Sequence, residues 1–240
     1  MKCFEFGLLR KIKMVEHLQP MKKGIAELQH FEISEETVRF EKLRALMNYS
    51  SECVTLEAGK YCRLIVDNKL VMSDTGMEKD TNFEFTMKAN GHVLIAGLGL
   101  GMILKAVENY DCIKSITVIE KEQDVIDIIN PQLKLHSNVN IICADIFEWV
   151  PLQGMKYDVI YFDIWSEICG DNYTEMKRLH RKFCRKLNRD NPECYMNSWR
   201  RNCAKKLYKQ SEDRKKINNM FRLCDEQVEK MNTAFDEINI

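Results

Sequence analysis

The stretch His92-Val-Leu-Ile-Ala-Gly97-Leu-Gly99-Leu-Gly101-Met102 decides the fold. A strand-length apolar run empties into three glycines at alternate positions, and Ile103, Leu104, Ala106 and Val107 then recur at helical spacing. The reading is strand, tight turn, helix. Glycine suits the turn because it reaches positive φ without steric cost, and because a Cβ there would hold a ligand away from the backbone. A single glycine-rich turn also serves any close strand–helix crossing, so the segments around it carry the decision.

Three such segments end in acids. Ser115-Ile-Thr-Val-Ile-Glu120 reads as a second buried strand whose carboxylate lies 23 residues beyond Gly97. In nucleotide-binding α/β units an acid about 20 residues on accepts hydrogen bonds from ribose hydroxyls. Asn138-Val-Asn-Ile-Ile-Cys-Ala144-Asp145 and Tyr157-Asp-Val-Ile-Tyr-Phe-Asp163 repeat the pattern. Strands alternating with helices predict right-handed crossovers and an α/β, doubly wound parallel sheet. Glu120, Asp145 and Asp163 then share its carboxyl edge, where ligands of open parallel sheets bind.

At 240 residues and 45% apolar content the chain can bury one substantial core and a small appended unit. Lys+Arg and Asp+Glu balance at 36 each, so only the distribution of charge informs. The ten cysteines contain no C-x-x-C pair and the five histidines are scattered. That pattern fits reduced thiols of a cytoplasmic protein and gives no support to a disulfide framework or a metal site. No apolar run approaches the roughly 18 residues of a membrane span. Arg10, Lys11 and Lys13 follow the first apolar stretch instead of preceding it, unlike a secretory signal.

Four segments are expected. Residues 1–23 form an arm or short helix, and residues 24–82 a small β-rich α+β unit. In that unit a strand runs to Ile33, and Ser34 caps a helix that turns Val38, Leu43, Leu46 and Met47 inward and ends near Asn48. Strands at 54–56, 61–66 and 70–72 follow, then a polar connector over 72–82 whose Asp74, Thr75 and Glu78 face the ligand edge. Residues 83–198 form the core, with helices at 103–109, 123–129 (stopped by Pro131) and 146–149, and a fifth strand at 194–196. A long helix begins near Asp171, with Asn172 as a cap and Met176, Leu179, Phe183 and Leu187 on one face. Residues 199–240 form a helical extension in place of further strands.

Charge concentrates in the tail. Between Lys177 and Lys216 stand 15 Lys+Arg against four acids. They read either as solvated faces of amphipathic helices or as a surface for nucleic acid or another polyanion. Met220, Cys224, Val228, Met231 and Phe235 then recur at helical spacing, a stripe that fits packing on the core or on a second subunit as a homodimer.

With the glycine turn and the three acids in hand, the core resembles the Rossmann-like class I S-adenosylmethionine (SAM) methyltransferase fold, and within it the spermidine synthase branch. Leu70-Val-Met72 before an acidic segment, Val93 to Met102, Asp145-Ile-Phe-Glu-Trp149 and Tyr157 to Asp163 follow that branch's order. Met72-Ser-Asp-Thr75, Asp163-Ile-Trp-Ser-Glu-Ile-Cys-Gly-Asp-Asn172 and Leu179-His-Arg-Lys182 look like a group of phage-encoded spermidine synthase-like proteins, which would place the chain in a host cytoplasm. The likeness spans residues 22–205.

The resemblance implies a small-molecule cofactor, SAM or decarboxylated SAM. Gly97, Leu98, Gly99 and Gly101 would meet its amino-acid end, Glu120 and Lys121 its ribose, and Asp145 and Ile146 its adenine. Asp163 would orient or deprotonate the acceptor, and Trp165 would supply an apolar wall. Two departures matter. Working aminopropyltransferases carry an acid where this chain has Leu100, and Asp-x-x-Asp-Pro where it has Asp163-Ile-Trp165-Ser166-Glu167. Leu100 removes a charge that would repel the carboxylate of intact SAM, so methyl transfer to an unidentified acceptor is the expectation. Aminopropyl transfer and a non-catalytic binder using its basic helices are the alternatives.

Overall fold

The computed structural model describes residues 8–47 and 56–238; in the last helix, side chains are described through residue 220 and at Arg222. Val54 and Thr55 of the expected strand at 54–56, and Cys224, Val228, Met231 and Phe235 of the expected stripe, lie outside those descriptions. Two compact units emerge. One comprises the described residues up to Ser166 with Arg178–Trp199, the other Glu167–Lys177 with the chain from Arg200.

The first unit holds two sheets. β1 (Met21–Lys23), β2 (Ala26–Ile33), β3 (Gly59–Val66) and β4 (Lys69–Ser73) pair antiparallel in that order. Asp67 and Asn68, at φ 50° and 58°, make the two-residue β3–β4 turn. Both residue types tolerate this left-handed region and so suit a hairpin that requires it twice. Before β1, a short helix α1 (Leu8–Lys11) and a 3-10 turn (Met14–Glu16) bury Leu9, Met14 and Leu18, so the beginning of the chain contributes to the core.

The second sheet is parallel, as the alternation of apolar runs and helical patterns requires. Its order is β7-β6-β5-β8-β9, from β5 (Gly91–Ala96), β6 (Ile113–Glu120), β7 (Val139–Cys143), β8 (Val159–Phe162) and β9 (Tyr195–Ser198). Helices α4 (Met102–Val107) and α5 (Gln123–Leu133) connect β5 to β6 and β6 to β7. The strand order reverses between β5 and β8, and the switch point lies beyond their carboxyl ends. β5 and β8 are buried along almost their whole length, as central strands covered on both faces should be. After α6 (Gly170–Phe183) and β9, the chain continues as one helix, α7 (Arg201–Ile238), so a helical extension does follow a five-stranded sheet.

Several local expectations are corrected. The polar segment 72–82 is not a connector: β4 runs to Ser73 and α3 spans Gly76–Lys88, burying Glu78, Asn82 and Phe85 at helical spacing. Pro131 does not stop α5, which continues to Leu133; in its last turn a missing N–H costs one bond, and Lys134 at φ 48° ends the helix instead. Residues 146–148 form a single turn, not a helix: the Glu148 and Trp149 N–H groups both donate to the Asp145 carbonyl, and the pattern does not continue beyond Trp149. In α2 (Glu35–Met47), Val38 and Ala45 are buried while Leu43, Leu46 and Met47 are exposed. The inward contact is shallow and takes the smaller side chains.

Candidate functional site at the carboxyl edge

The glycine loop follows β5 with Gly97, Gly99 and Gly101 at φ 97°, 51° and 72°, the left-handed region that favours glycine. A Cβ on Gly97 would lie 2.0 Å from the Asp163 carbonyl oxygen, one on Gly99 2.1 Å from Met72 Sδ, and one on Gly101 2.4 Å from Leu133 Cδ1. Fixed backbone therefore excludes a side chain at Gly97, whereas at Gly99 and Gly101 the neighbours are the ends of flexible side chains and the positive φ is what favours glycine. The Leu100 N–H donates to Met72 Sδ at 3.1 Å, and the Leu100 side chain is fully buried. At the position where the resembling enzymes carry an acid, this chain has enclosed hydrocarbon.

Glu120 ends β6 beside the loop. Its Oε2 accepts from the Leu98 N–H at 2.8 Å and its Oε1 from the Glu122 N–H at 2.9 Å. One carboxylate therefore sets both the loop and the entry to α5, and each oxygen retains a second lone pair. Asp145, past β7, accepts from the Phe147 N–H at 2.8 Å and faces Lys121 Nζ at 3.4 Å. Ile146 is buried in the core cluster that also holds Leu94, Ala96 and Phe162, so its side chain is not presented at the edge. Lys182 Nζ, donating to the carbonyls of Ile146 and Phe147 at 3.1 and 2.8 Å, holds this turn from α6. Arg178 lies over the Phe147 ring. Part of the basic excess is thus engaged in structure, while Lys205, Lys206 and Lys209 of α7 are exposed.

Asp163 follows β8 directly, its N–H donating to the Ala96 carbonyl at 2.8 Å. Burial, reinforced by the charge of Glu78, pushes its carboxyl up to about 8. Glu78 itself is buried on α3. One turn along that helix, Asn82 donates to the Glu78 carbonyl and accepts from the Tyr161 hydroxyl at 2.8 Å, while Phe85 stacks on Tyr161 at 4.5 Å. Burial raises the Tyr161 phenol well above its ordinary value, so it acts as a fixed donor. Trp165 is half-buried and leans on the core cluster.

Glu120, Asp145 and Asp163 stand at the strand ends the sequence assigned them. Asp74 does not serve the ligand edge. It is 1% exposed, and its two oxygens accept from the Met14 and Cys62 N–H groups at 2.9 and 2.7 Å, tying the start of the chain to β3. Asn82 and Tyr161 were missed. A signal for Asn82 was available in the spacing of Glu78, Asn82 and Phe85, which puts two polar residues on an inward helical stripe.

A polar depression of about 440 Å³ lies at the opposite, amino edge, lined in part by Asn90, Asp158, Asn188 and Asn191. Burial there would raise the Asp158 carboxyl, but donation from the His92 N–H, Asn191 and Asn188 outweighs it and holds the group below its usual range. These groups satisfy one another and close the sheet floor. Among the described residues no cluster of His, Cys, Asp and Glu could hold a metal ion, and no helix is long and apolar enough to cross a membrane.

Comparison with known proteins adds a family. Residues 82–226 match the spermine/spermidine synthase domain. Polyamine aminopropyltransferases from three strains of Buchnera aphidicola subsp. Acyrthosiphon pisum are 34% identical over 88 residues, 33% of this chain and 31% of each relative, so the match spans under a third of their length. Among solved structures, spermidine synthase from Thermotoga maritima is similar over 71% of this chain and 52% of its own, at 17% identity and a TM-score of 0.42. The plantazolicin methyltransferase BpumL, in complex with S-adenosylhomocysteine (SAH), is similar over 45% of this chain and 39% of its own, at 22% identity and a TM-score of 0.34.

Proposed function

Because the chain belongs to the spermine/spermidine synthase domain family, we propose that it transfers an alkyl group from an S-adenosyl sulfonium to an amine, with aminopropyl transfer from decarboxylated SAM as the first reading. The observation that carries this is Asp163, a carboxyl pushed up to about 8 beside Glu78 at the switch point of the sheet.

The donor suits the residues present. Glu120 retains lone pairs for ribose hydroxyls after binding two backbone N–H groups. The backbone of Leu98 and the glycines would border the amino-acid end, and the Lys121–Asp145 pair with the Ile146 backbone would border the adenine. When bound, the sulfonium supplies an electrophilic carbon and a neutral thioether leaving group. The chain must align the acceptor, exclude water and free the amine's lone pair. Asp163 does the last, taking the ammonium proton on its carboxylate at a pKa near the working pH, where general bases are most effective. Glu78 adds negative charge that favours a cationic acceptor. Trp165 walls the approach.

Methyl transfer from intact SAM is the second reading, and Leu100 favours it. Enclosed hydrocarbon there offers no charge to oppose the carboxylate of SAM. Calorimetric titration with SAM, SAH and decarboxylated SAM, repeated on Glu120→Ala, separates the readings. Preference for decarboxylated SAM, lost in the variant, supports aminopropyl transfer; preference for SAM and SAH supports methyl transfer. Binding of none of the three sinks both, and the exposed lysines of α7 would then be pursued as a nucleic-acid surface through salt-dependent binding.

A further inference from the structure

Helix α2 is apolar on two opposite sides. Val38 and Ala45 are buried, whereas Phe40, Leu43 and Met47 are 63%, 61% and 81% exposed. At 3.6 residues per turn those three fall within a strip roughly 60° wide, directly opposite Val38 and Ala45. Glu36 continues the strip at its amino end. The resulting steps of four, three and four residues match the seam of two paired helices. Thr37 and Arg44 flank one side of the strip, and Arg39 and Leu46 the other.

We infer that this strip is a self-association face on which α2 of a second copy of the chain packs antiparallel. The flanks select both the occupant and its direction. About a twofold axis between Phe40 and Leu43, antiparallel pairing sets Arg39 beside the aliphatic Leu46 of the other copy, and Thr37 beside its Arg44. It also brings Glu36 within reach of that Arg44. Parallel pairing would line Arg39 against Arg44 of the other copy, a like-charge contact. Glu35 and Glu36 at the amino end, with Lys42 and Arg44 toward the carboxyl end, complement themselves only when the helices run in opposite directions. Arg44 now shares Glu41 of its own helix at 3.2 Å, an exposed pair weak enough to exchange partners. A surface that matches itself under a twofold is what an isologous dimer requires.

Sedimentation equilibrium on the full chain tests this. The wild type is expected to dimerise in the micromolar range. Leu43→Glu is expected to raise the dissociation constant at least about 30-fold, the loss of one central anchor, with an unchanged circular-dichroism melt at concentrations below the wild-type dissociation constant because Leu43 is exposed. Phe40→Glu provides the same test at a second position. Glu36→Arg and Arg44→Glu should each weaken the dimer, and the double variant should recover most of the loss. A wild type monomeric at tens of micromolar, a dimer indifferent to both Leu43→Glu and Phe40→Glu, or a double variant no tighter than the single ones would overturn the inference.

Discussion

Replacing Asp163 by asparagine should make the protein more stable and inactive at once. The carboxyl is raised from its ordinary 3.8 to about 8, first by burial and then by Glu78. The folded state therefore holds a proton that the unfolded chain has released, and stability falls as pH rises between those two values. At about 1.4 kcal/mol per unit, a shift of roughly four units sets a ceiling of about 6 kcal/mol above pH 8. Asp163 retains some solvent exposure, and relaxation around the charge with entry of water reduces this, so a gain of about 2 kcal/mol for Asp163→Asn at pH 9 is expected. The amide keeps the shape without the charge. Below pH 4 both states of the wild type are protonated and the two proteins should match; the gap should open from there and level off above pH 8. Urea unfolding at pH 4, 7 and 9 measures it through the midpoint at constant m-value. A gap independent of pH, or an asparagine variant less stable at pH 9, would refute the idea that Asp163 is held against its charge. Under the proposed chemistry the same variant loses turnover, because an amide takes no proton from the acceptor.

Three further outcomes are expected. Glu78→Gln removes the neighbouring charge, so the alkaline-rising limb of the pH–rate profile should move to lower pH by about half to one unit; an unmoved limb would detach Glu78 from Asp163. Gly97→Ala places a methyl 2.0 Å from the Asp163 carbonyl oxygen at φ 97°, and should cost at least about 3 kcal/mol in urea unfolding or abolish soluble expression. Asp74→Ala orphans the buried N–H groups of Met14 and Cys62 and should cost about 2–4 kcal/mol without altering the pH profile of turnover.

The sequence displayed the parallel sheet because both of its signals are local. Apolar runs such as Val93–Ala96 and Val159–Phe162 have strand length, and the carboxylates that close them mark the edge without any knowledge of the partner strands. The segment before β5 was illegible for the opposite reason. Asp74 and Glu78 read as facing the ligand edge from a polar connector, and not as buried helix and strand-end residues, because their burial depends on distant groups. Asp74 is buried because the Met14 N–H, sixty residues earlier, needs an acceptor, and Asn82 because Tyr161 brings it a hydroxyl. Hydrophobicity likewise misjudged α2, where the side chains that would gain most from burial are the ones left outside.

The glycine loop shows where the weight of the functional reading belongs. A backbone kept bare for a ligand and a tight turn within the protein demand the same residue, and here the local demand is met without a ligand: the Asp163 carbonyl fills the space a Cβ would take at Gly97, and all three glycines sit at positive φ. Glycine spacing therefore does not distinguish a cofactor loop from a tight crossing in this chain. The acids do. Packing needs no carboxylate at Glu120, since a backbone carbonyl or an amide could receive the Leu98 N–H, and it is opposed to one at Asp163, where burial and Glu78 both disfavour the charge. A group kept at a site that penalises it is better explained by what it does to a bound molecule than by what it does for the fold.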